Sequence, residues 1–558
     1  MGPSSTGRVA VSRAGVAGSG RSIAVAAGSI AAITIVSRLV GFGRWFAFSH
    51  SVGATCVGTV YQSVNAVPNV LYEVAAGGVL AAVVIPLVSA ALGRGERDRA
   101  DQTASALLTW ALAVLVPLAL VVVLAAGPIA GLLLPSAGCA GALGLGADLL
   151  RLFAIQVPLY GVGIVLAGVL QSHRRFVAAA LAPLLSSVVV IGTYLVYRAL
   201  VPDPAAPIAA IPGGAVLVLG LGTSLGVVAL SLPLLVPLHR AGVRLRPTLR
   251  FPDSASSRVR RLAVAGLLAL VGQQLATLVV IRLANDRGGA GTLNVFTYVQ
   301  AVSLLPYAVL AVPLATAAFP TLAGQDAGRD QPRDTAARTL RGAWLGTLIA
   351  GIYGVGLLIA VAQPVGAFFN ALDAGRGSGS GAEALAAIPT TIVAFAPGIL
   401  GLGVIGLLTR ALYVRGHART AGATAGGGWL LTLVVPLVAL AGRPGPADTL
   451  HAIGIGSSVG LVGAALVLAV LAARAWGGAA LRPPGRPLAA AVLGGAAAGV
   501  GGWWLGTAWR PTDLGGAALA TVAAGLLATM AFGAVSGATD RSVVRRLVRR
   551  DLSGDPER

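Results

Sequence analysis

Charged residues are scarce in this sequence, and lysine is absent altogether. Charged side chains make up 11% of the 558 residues and apolar side chains make up 56%, which is far from the composition of a soluble domain. The mean hydropathy is +0.85, and apolar segments long enough to cross a bilayer follow one another almost without interruption. We therefore expect an all-α polytopic membrane protein, in which the net charge of +21 reflects topology and not nucleic-acid binding.

Motifs of catalysis and metal binding are also missing. The sequence has no GxxxxGK[ST] phosphate-binding loop, no HExxH motif and no Cys/His cluster with metal-ligand spacing. Three of the five histidines, His173, His239 and His417, fall in predicted cytoplasmic loops, where solvated residues are the rule. We expect neither an enzyme nor a bound cofactor or metal.

Only two cysteines are present, Cys56 and Cys139, and they form no redox or metal motif. Both fall in loops predicted to face outward, so a disulfide between them is one interpretation. The other is two unrelated apolar cysteines, and this is the one we expect.

Polar breaks divide the chain into fourteen candidate spans, and the arginines test this division independently. Of the 40 arginines, 31 fall in the N-terminal tail, the even-numbered connections and the C-terminal tail, and six fall in the odd-numbered connections. Because arginine collects on the cytoplasmic side, both termini are predicted to be cytoplasmic. The first span is longer than a signal peptide, so we interpret it as a retained helix. The spans are 22–48, 57–91, 104–135, 147–171, 177–199, 213–238, 262–284, 293–323, 342–370, 386–412, 420–441, 450–473, 487–508 and 514–536.

Spans 2 and 8 resemble each other, which hints at an internal repeat. Each begins near a tyrosine with a glutamine close by and has a mid-span proline, Pro68 in one and Pro306 in the other. A parallel repeat of six helices predicts two pseudo-symmetric lobes around a central cavity; chance similarity between apolar segments is the alternative. The predicted domains are a basic tail 1–21, an N-terminal lobe 22–238, a basic linker 239–261, a C-terminal lobe 262–473, helices 13 and 14 at 487–536, and a basic tail 537–558.

Two arginines, Arg38 and Arg44, lie inside the apolar first span, where a charge is costly. On a straight helix they would be about 9 Å apart along the axis and about 120° apart around it. Gly41 and Gly43 between them could let the helix bend, so that both face a cavity. A guanidinium there suits bidentate contact with phosphate oxygens; the alternatives are snorkelling to an interface or pairing with a carboxylate.

Glu73 is the only carboxylate well inside span 2, between Pro68 and the Gly77-Gly78 pair. It could form an ion pair with one of the arginines or act as a proton-responsive coupling site. Six amides in spans 2, 7 and 8 either join helices or line a polar cavity: Gln62, Asn65, Asn69, Gln273, Gln274 and Gln300.

The segment Ser37 to Leu92 resembles the N-terminal signature of the MurJ (MviN) lipid II flippases, members of the multidrug/oligosaccharidyl-lipid/polysaccharide exporter superfamily. Span 8, from Tyr298 to Leu322, resembles the eighth helix of that family. The elements that carry the first resemblance are Ser37-Arg38, Gly41-Phe42, Arg44, Gly53-Ala54, Pro68-Asn69, Gly77-Gly78 and Pro86.

This resemblance implies two six-helix lobes plus two C-terminal helices, which move an undecaprenyl-pyrophosphate-linked peptidoglycan precursor to the outer leaflet by alternating access. It implies that Arg38 and Arg44 engage the diphosphate and that the lipid tail uses a groove leading to the C-terminal helices. We add Asn69 and Gln300 as substrate-binding candidates. As helix hinges we expect Gly41, Gly43, Pro68, Gly77, Gly78 and Pro306.

The sequence departs from the family pattern at several cavity positions. Trp45 stands where relatives carry an acid, Tyr72 and Glu73 stand where they carry basic residues, and Gln300-Ala301 replaces an Asp-Arg pair. Spans 7 and 11 have no interior Asp or Glu, so a sodium site found in some relatives is expected to be absent.

The leading hypothesis is a monomeric lipid II flippase of the bacterial plasma membrane. Its partners are a lipid-linked diphosphate, membrane lipids and, as a further possibility, cell-wall synthesis proteins. One alternative is an exporter of another polyprenyl-linked saccharide or amphipathic molecule. Another is a non-transporting paralogue that acts as a scaffold in cell-wall assembly.

Overall fold

A computed structural model shows the chain as a bundle of α-helices. It describes residues 33, 36–74, 81–134, 139–250, 255–327, 333–373, 379–442 and 444–549, and those ranges contain no strand. Eleven of their helices are long and apolar enough to cross a membrane. The predicted all-α polytopic fold is therefore confirmed. The predicted hinge residues Gly77 and Gly78, together with the tail 1–21, lie outside the described residues.

The first half of the chain supplies ten helices in its described part. They correspond to predicted spans 1 to 6. In chain order they are α1 (36–51), α2 (Cys56–Tyr72), α3 (Ala81–Gly93), α4 (Arg97–Leu124), α5 (Ala126–Leu133), α6 (Ala142–Phe153), α7 (Gln156–Ser172), α8 (Phe176–Leu200), α9 (Gly213–Ser231) and α10 (Leu235–His239).

The second half continues the pattern with longer helices. A π-helical turn at Tyr307–Ala311 interrupts predicted span 8 directly after Pro306. The helices are α11 (Ala255–Arg287), α12 (Thr292–Pro306), α13 (Val312–Ala327), α14 (Arg333–Leu372), α15 (Gly379–Ala386), α16 (Ile388–Val414), α17 (Ala418–Leu431), α18 (Val434–Ala439), α19 (Pro446–Trp476), α20 (Gly485–Ala508), α21 (Leu514–Thr539) and α22 (Arg541–Arg549).

Helices occupy the described parts of all fourteen predicted spans, but spans 1, 2 and 7 are not among the eleven that qualify by length and apolarity. The count of fourteen therefore stays a prediction. Packing is mostly local within each half: α4 contacts α3 and α7, and α8 contacts α9. In the second half α16 contacts α14 and α19, while α20 and α21 contact each other and α14. The lobe boundaries at 238 and 262 also remain predictions.

Glycine lets α11 and α17 touch backbone to backbone. A Cβ placed on Gly272 of α11 would lie 2.8 Å from the Cα atom of Gly426 of α17, which is closer than real Cβ atoms approach. Small residues at such a crossing allow close packing of helices in a membrane. Close packing matters there because lipid is as apolar as the helix surface, so the hydrophobic effect does not drive the helices together.

We expect Gly272→Val to lower the melting temperature of the purified protein, because the side chain must force these two helices apart at a cost of roughly 3 kcal/mol. The matched control is Gly427→Val, since a Cβ at Gly427 meets nothing within 4 Å. Thermal unfolding of both variants in one detergent measures the difference. Equal melting temperatures would contradict the close crossing.

The two cysteines form a disulfide, so the expectation of two unrelated cysteines is wrong. Cys56 begins α2 and Cys139 lies just before α6, with their Cα atoms 5.8 Å apart. They are 83 residues apart in the chain, but α2 packs against α6, and this brings the two ends together.

Candidate functional site

A cavity of about 230 Å³ lies between the two halves of the chain, and we call it the polar cavity because half of the residues that line it have polar side chains. Its hydrogen-bonding groups come from α2, α11, α12 and α19, together with the residues that directly follow α2 and α17. Residues 62, 65 and 69 of α2 and residue 73 directly after it follow helical spacing and therefore share one face. The polar lining is Gln62, Asn65, Asn69 and Glu73 from α2 and the residue after it, Gln274 and Thr277 from α11, Thr297 and Gln300 from α12, and Thr432 and Ser457.

Three of the predicted site residues therefore come together: Asn69, Glu73 and Gln300. Of the six amides considered in the sequence, Gln273 alone is not part of the lining. Glu73 is exposed and is the only charged side chain among the described lining residues. No ion pair between described residues joins it to Arg38 or Arg44.

The two arginines of α1 do not line this cavity. The helix continues through Gly41 and Gly43 without interruption, with Arg38 exposed and Arg44 half-buried. The Arg44 guanidinium carbon lies 5.7 Å from the centre of the Trp45 ring, and Trp45 does belong to the cavity lining.

Tyr160, on α7, contacts α2 at the wall of the polar cavity. Its hydroxyl donates a hydrogen bond to Oδ1 of Asn69 at 3.0 Å. The Tyr160 ring packs on Tyr72 with 4.4 Å between centres. Nothing in the sequence singles out Tyr160; a lone tyrosine in an apolar span carries no pattern.

A second cavity, of about 340 Å³, is almost entirely apolar. Its walls come from α1, α12, α14 and α21, so it connects the core to a C-terminal helix. Phe42 and Phe46 lie on one side and Pro306 on another, next to the π-helical turn. Such a cavity suits an apolar chain and offers almost nothing to a polar group.

A buried carboxylate joins the two halves at one end of the bundle. Asp373, after α14, is 1% exposed and accepts hydrogen bonds from Ser49 Oγ at 2.7 Å, Tyr298 OH at 2.8 Å and the Ala54 amide at 2.8 Å. We name these four residues the Asp373 junction. A buried carboxylate needs such donors, because an unpaired charge in a dry interior is costly.

Further polar contacts surround the Asp373 junction and also cross between the halves. Asn294 Nδ2 donates to the Gly53 carbonyl at 2.6 Å, and the Gly291 amide donates to Thr59 Oγ1 at 2.7 Å. Asn285 Nδ2 donates to Ser63 Oγ at 2.7 Å. All six of these residues are buried, and they lie towards the end of the bundle that carries the odd-numbered connections. This end of the bundle is therefore closed. The sequence did not point to Asp373, whose only signal is a lone acid at the end of an apolar span.

Known proteins share this architecture. The structure of lipid II flippase MurJ in an inward closed conformation matches with a TM-score of 0.69 and 16% identity over 92% of this chain and 99% of that chain. An inward-facing multidrug resistance transporter of the MATE family, MOP superfamily, matches at 0.59 and 15% identity over 81% and 98%. A MOP superfamily transporter from Pyrococcus furiosus matches at 0.54 and 16% identity over 81% and 96%.

These structural likenesses, all at low identity, establish the fold. The family is shown separately, because the family model described as lipid II flippase MurJ matches residues 48–513 and so covers most of the chain. The resemblance drawn from Ser37 to Leu92 and from span 8 is confirmed. This chain is a multi-pass membrane protein that belongs to the MurJ lipid II flippase family, a family of transporters and not of enzymes.

Proposed function

We propose that this chain moves a lipid-linked diphosphate of the lipid II class from the inner to the outer leaflet by alternating access. The observation that carries the proposal is the pairing of a polar cavity between the halves with an apolar cavity that reaches α21. An amphipathic cargo needs both environments, one for its head group and one for its tail. Family membership supports the substrate class.

In this proposal the two arginines of α1 bind the diphosphate, because a guanidinium presents paired donors to phosphate oxygens. Asn69 on α2 and Gln300 on α12, which both line the polar cavity, hydrogen-bond the sugar-peptide head group. Glu73 is a proton-responsive coupling group, since it lines the cavity without a described ion-pair partner. The hinges are Gly41, Gly43, Pro68, Gly77, Gly78 and Pro306.

The proposed orientation places both termini in the cytoplasm of a bacterium and the odd-numbered connections outside. The disulfide supports this, because Cys56 and Cys139 lie in odd-numbered connections and disulfides persist in oxidising compartments. The Asp373 junction then closes the outer end. MATE-family transporters of this fold occur in inward-facing and outward-facing forms, which supports alternation between two states.

The test is transport by the purified chain in proteoliposomes, paired with rescue of cells depleted of their own flippase. A lipid II flippase exposes fluorescent lipid II to the outer leaflet and restores growth. A second candidate function is transport of other polyprenyl-linked saccharides, because Glu73 puts an acid in the polar cavity where the family pattern has a basic residue. In that case those lipids would move and lipid II would not. Growth support without movement of any lipid would instead indicate a scaffold and would contradict transport.

A further inference from the structure

An extended segment of the linker, which we call the strap (residues 243–250), lies along α4. Three alternate backbone amides of the strap donate to three side chains one helical turn apart. Arg244 N donates to Asp101 Oδ2 at 3.0 Å, Arg246 N to Ser105 Oγ at 3.0 Å, and Thr248 N to Thr109 Oγ1 at 3.1 Å.

This register follows from geometry. Alternate residues of an extended chain are about 6.6 Å apart, and residues four apart on a helix rise about 6 Å. The Ser105 hydroxyl also donates to the Asp101 carbonyl, and the Thr109 hydroxyl donates to the Ser105 carbonyl. Each hydroxyl therefore donates one bond and accepts one. The strap is thus held by its backbone, which leaves its long side chains free to bind something else.

The strap ends where the exposed surface of α4 changes from polar to apolar. Trp110 is 45% exposed, and its indole Nε1 donates to the Leu249 carbonyl at 3.0 Å. Leu249 is itself 56% exposed. Beyond Trp110 the exposed residues of α4 are apolar, starting with Ala113 and Val114, whereas the first turns are polar. An exposed tryptophan at such a change of polarity is typical of the membrane interface.

Some side chains of the strap pack against the first half of the chain, and others are exposed. Val243 is buried and Leu245 packs on the core of the first half, while Arg244, Arg246 and Arg250 are exposed. None of the three arginines forms an ion pair with a described carboxylate. Nearby, in contrast, both Arg94 and Arg99 are paired with Glu96 at 3.2 Å. Three exposed guanidinium groups without a described ion-pair partner are thus carried by the same segment as the exposed Leu249.

We propose that the strap is a binding site for the head groups of anionic phospholipids in the adjoining leaflet. Guanidinium groups bind phosphate oxygens, and basic residues at the surface of an anionic membrane are attracted to it. Leu249 and Trp110 contact the upper acyl chains while the arginines hold the phosphates. Arginines that only set topology need no fixed backbone. Here the three hydrogen bonds from the strap to α4 fix the backbone that carries the arginines.

Native mass spectrometry of the full chain in detergent, with phosphatidylglycerol or phosphatidylcholine added, tests the site. The wild type is expected to prefer phosphatidylglycerol. The triple variant Arg244→Gln, Arg246→Gln, Arg250→Gln is expected to weaken binding of that lipid by about tenfold or more. The control is Arg419→Gln, Arg482→Gln, Arg545→Gln, which removes the same charge from exposed positions and is expected to change binding less than about twofold.

A second variant separates the built site from simple charge. The double variant Ser105→Ala, Thr109→Val keeps every arginine but removes the hydroxyl groups that accept two of the three hydrogen bonds from the strap. We expect it to weaken the preference for phosphatidylglycerol. An unchanged preference in this variant, or equal losses in the strap and control triples, would overturn the proposal. Because lipid II transport is not part of the measurement, either result is independent of the proposed function.

Discussion

Replacing Arg44 with alanine is expected to abolish transport of the lipid-linked diphosphate while leaving insertion into the membrane intact. Two charge-assisted hydrogen bonds to the diphosphate would be lost, worth about 3 kcal/mol, or roughly a hundredfold in affinity. Arg44 is half-buried and its guanidinium carbon lies 5.7 Å from the centre of the Trp45 ring, which lines the polar cavity, so we place the diphosphate on this side of the cavity. Transport in proteoliposomes measures the loss.

Two comparisons give this prediction its specificity. Arg44→Lys keeps the charge without the paired donors and should recover part of the rate. Arg151→Ala removes an arginine from an exposed pair with Asp148 and should leave transport unchanged. Arg44→Ala should also lose the preference for a lipid diphosphate over a monophosphate, which a purely structural defect would not alter. A wild-type rate in Arg44→Ala would remove Arg44 from the site.

Asp373→Ala is expected to open the closed end of the bundle. Alanine leaves the hydroxyls of Ser49 and Tyr298 and the amide of Ala54 without their acceptor, and donors to a buried charge are worth about 1.5 to 3 kcal/mol each. Allowing for non-additivity, we expect the opening free energy to fall by about 3 kcal/mol, so amides of residues 48–63 should exchange hydrogen roughly a hundredfold faster.

Hydrogen–deuterium exchange with mass spectrometry checks this result peptide by peptide. Exchange in α16 should not change, because the Asp373 junction lies outside that helix. The control is Asp148→Ala, which removes an exposed carboxylate and should behave as the wild type. Faster exchange across the whole chain would mean general unfolding, and unchanged exchange at 48–63 would mean that Asp373 does not hold this end closed.

Reasoning from the sequence reached the fold and part of the candidate site, because both depend on local patterns. Apolar length predicts a spanning helix whatever it packs against, and helical spacing places Asn69 and Glu73 on one face of their helix. The concentration of amides in spans 2, 7 and 8 predicted a shared cavity, and five of those six amides line one. The roles of these residues, and of Arg38 and Arg44, remain predictions.

Packing decided the rest. Cys56 meets Cys139 across 83 residues, and Asp373 meets Ser49 across 324. Tyr160 reaches Asn69 across 91, and the strap meets Asp101 across 143. A hydrogen bond or disulfide needs atoms within a few ångströms, and separation along the chain says nothing about that distance. Local periodicity therefore determined which residues face inward, whereas the arrangement of the helices determined which of them meet.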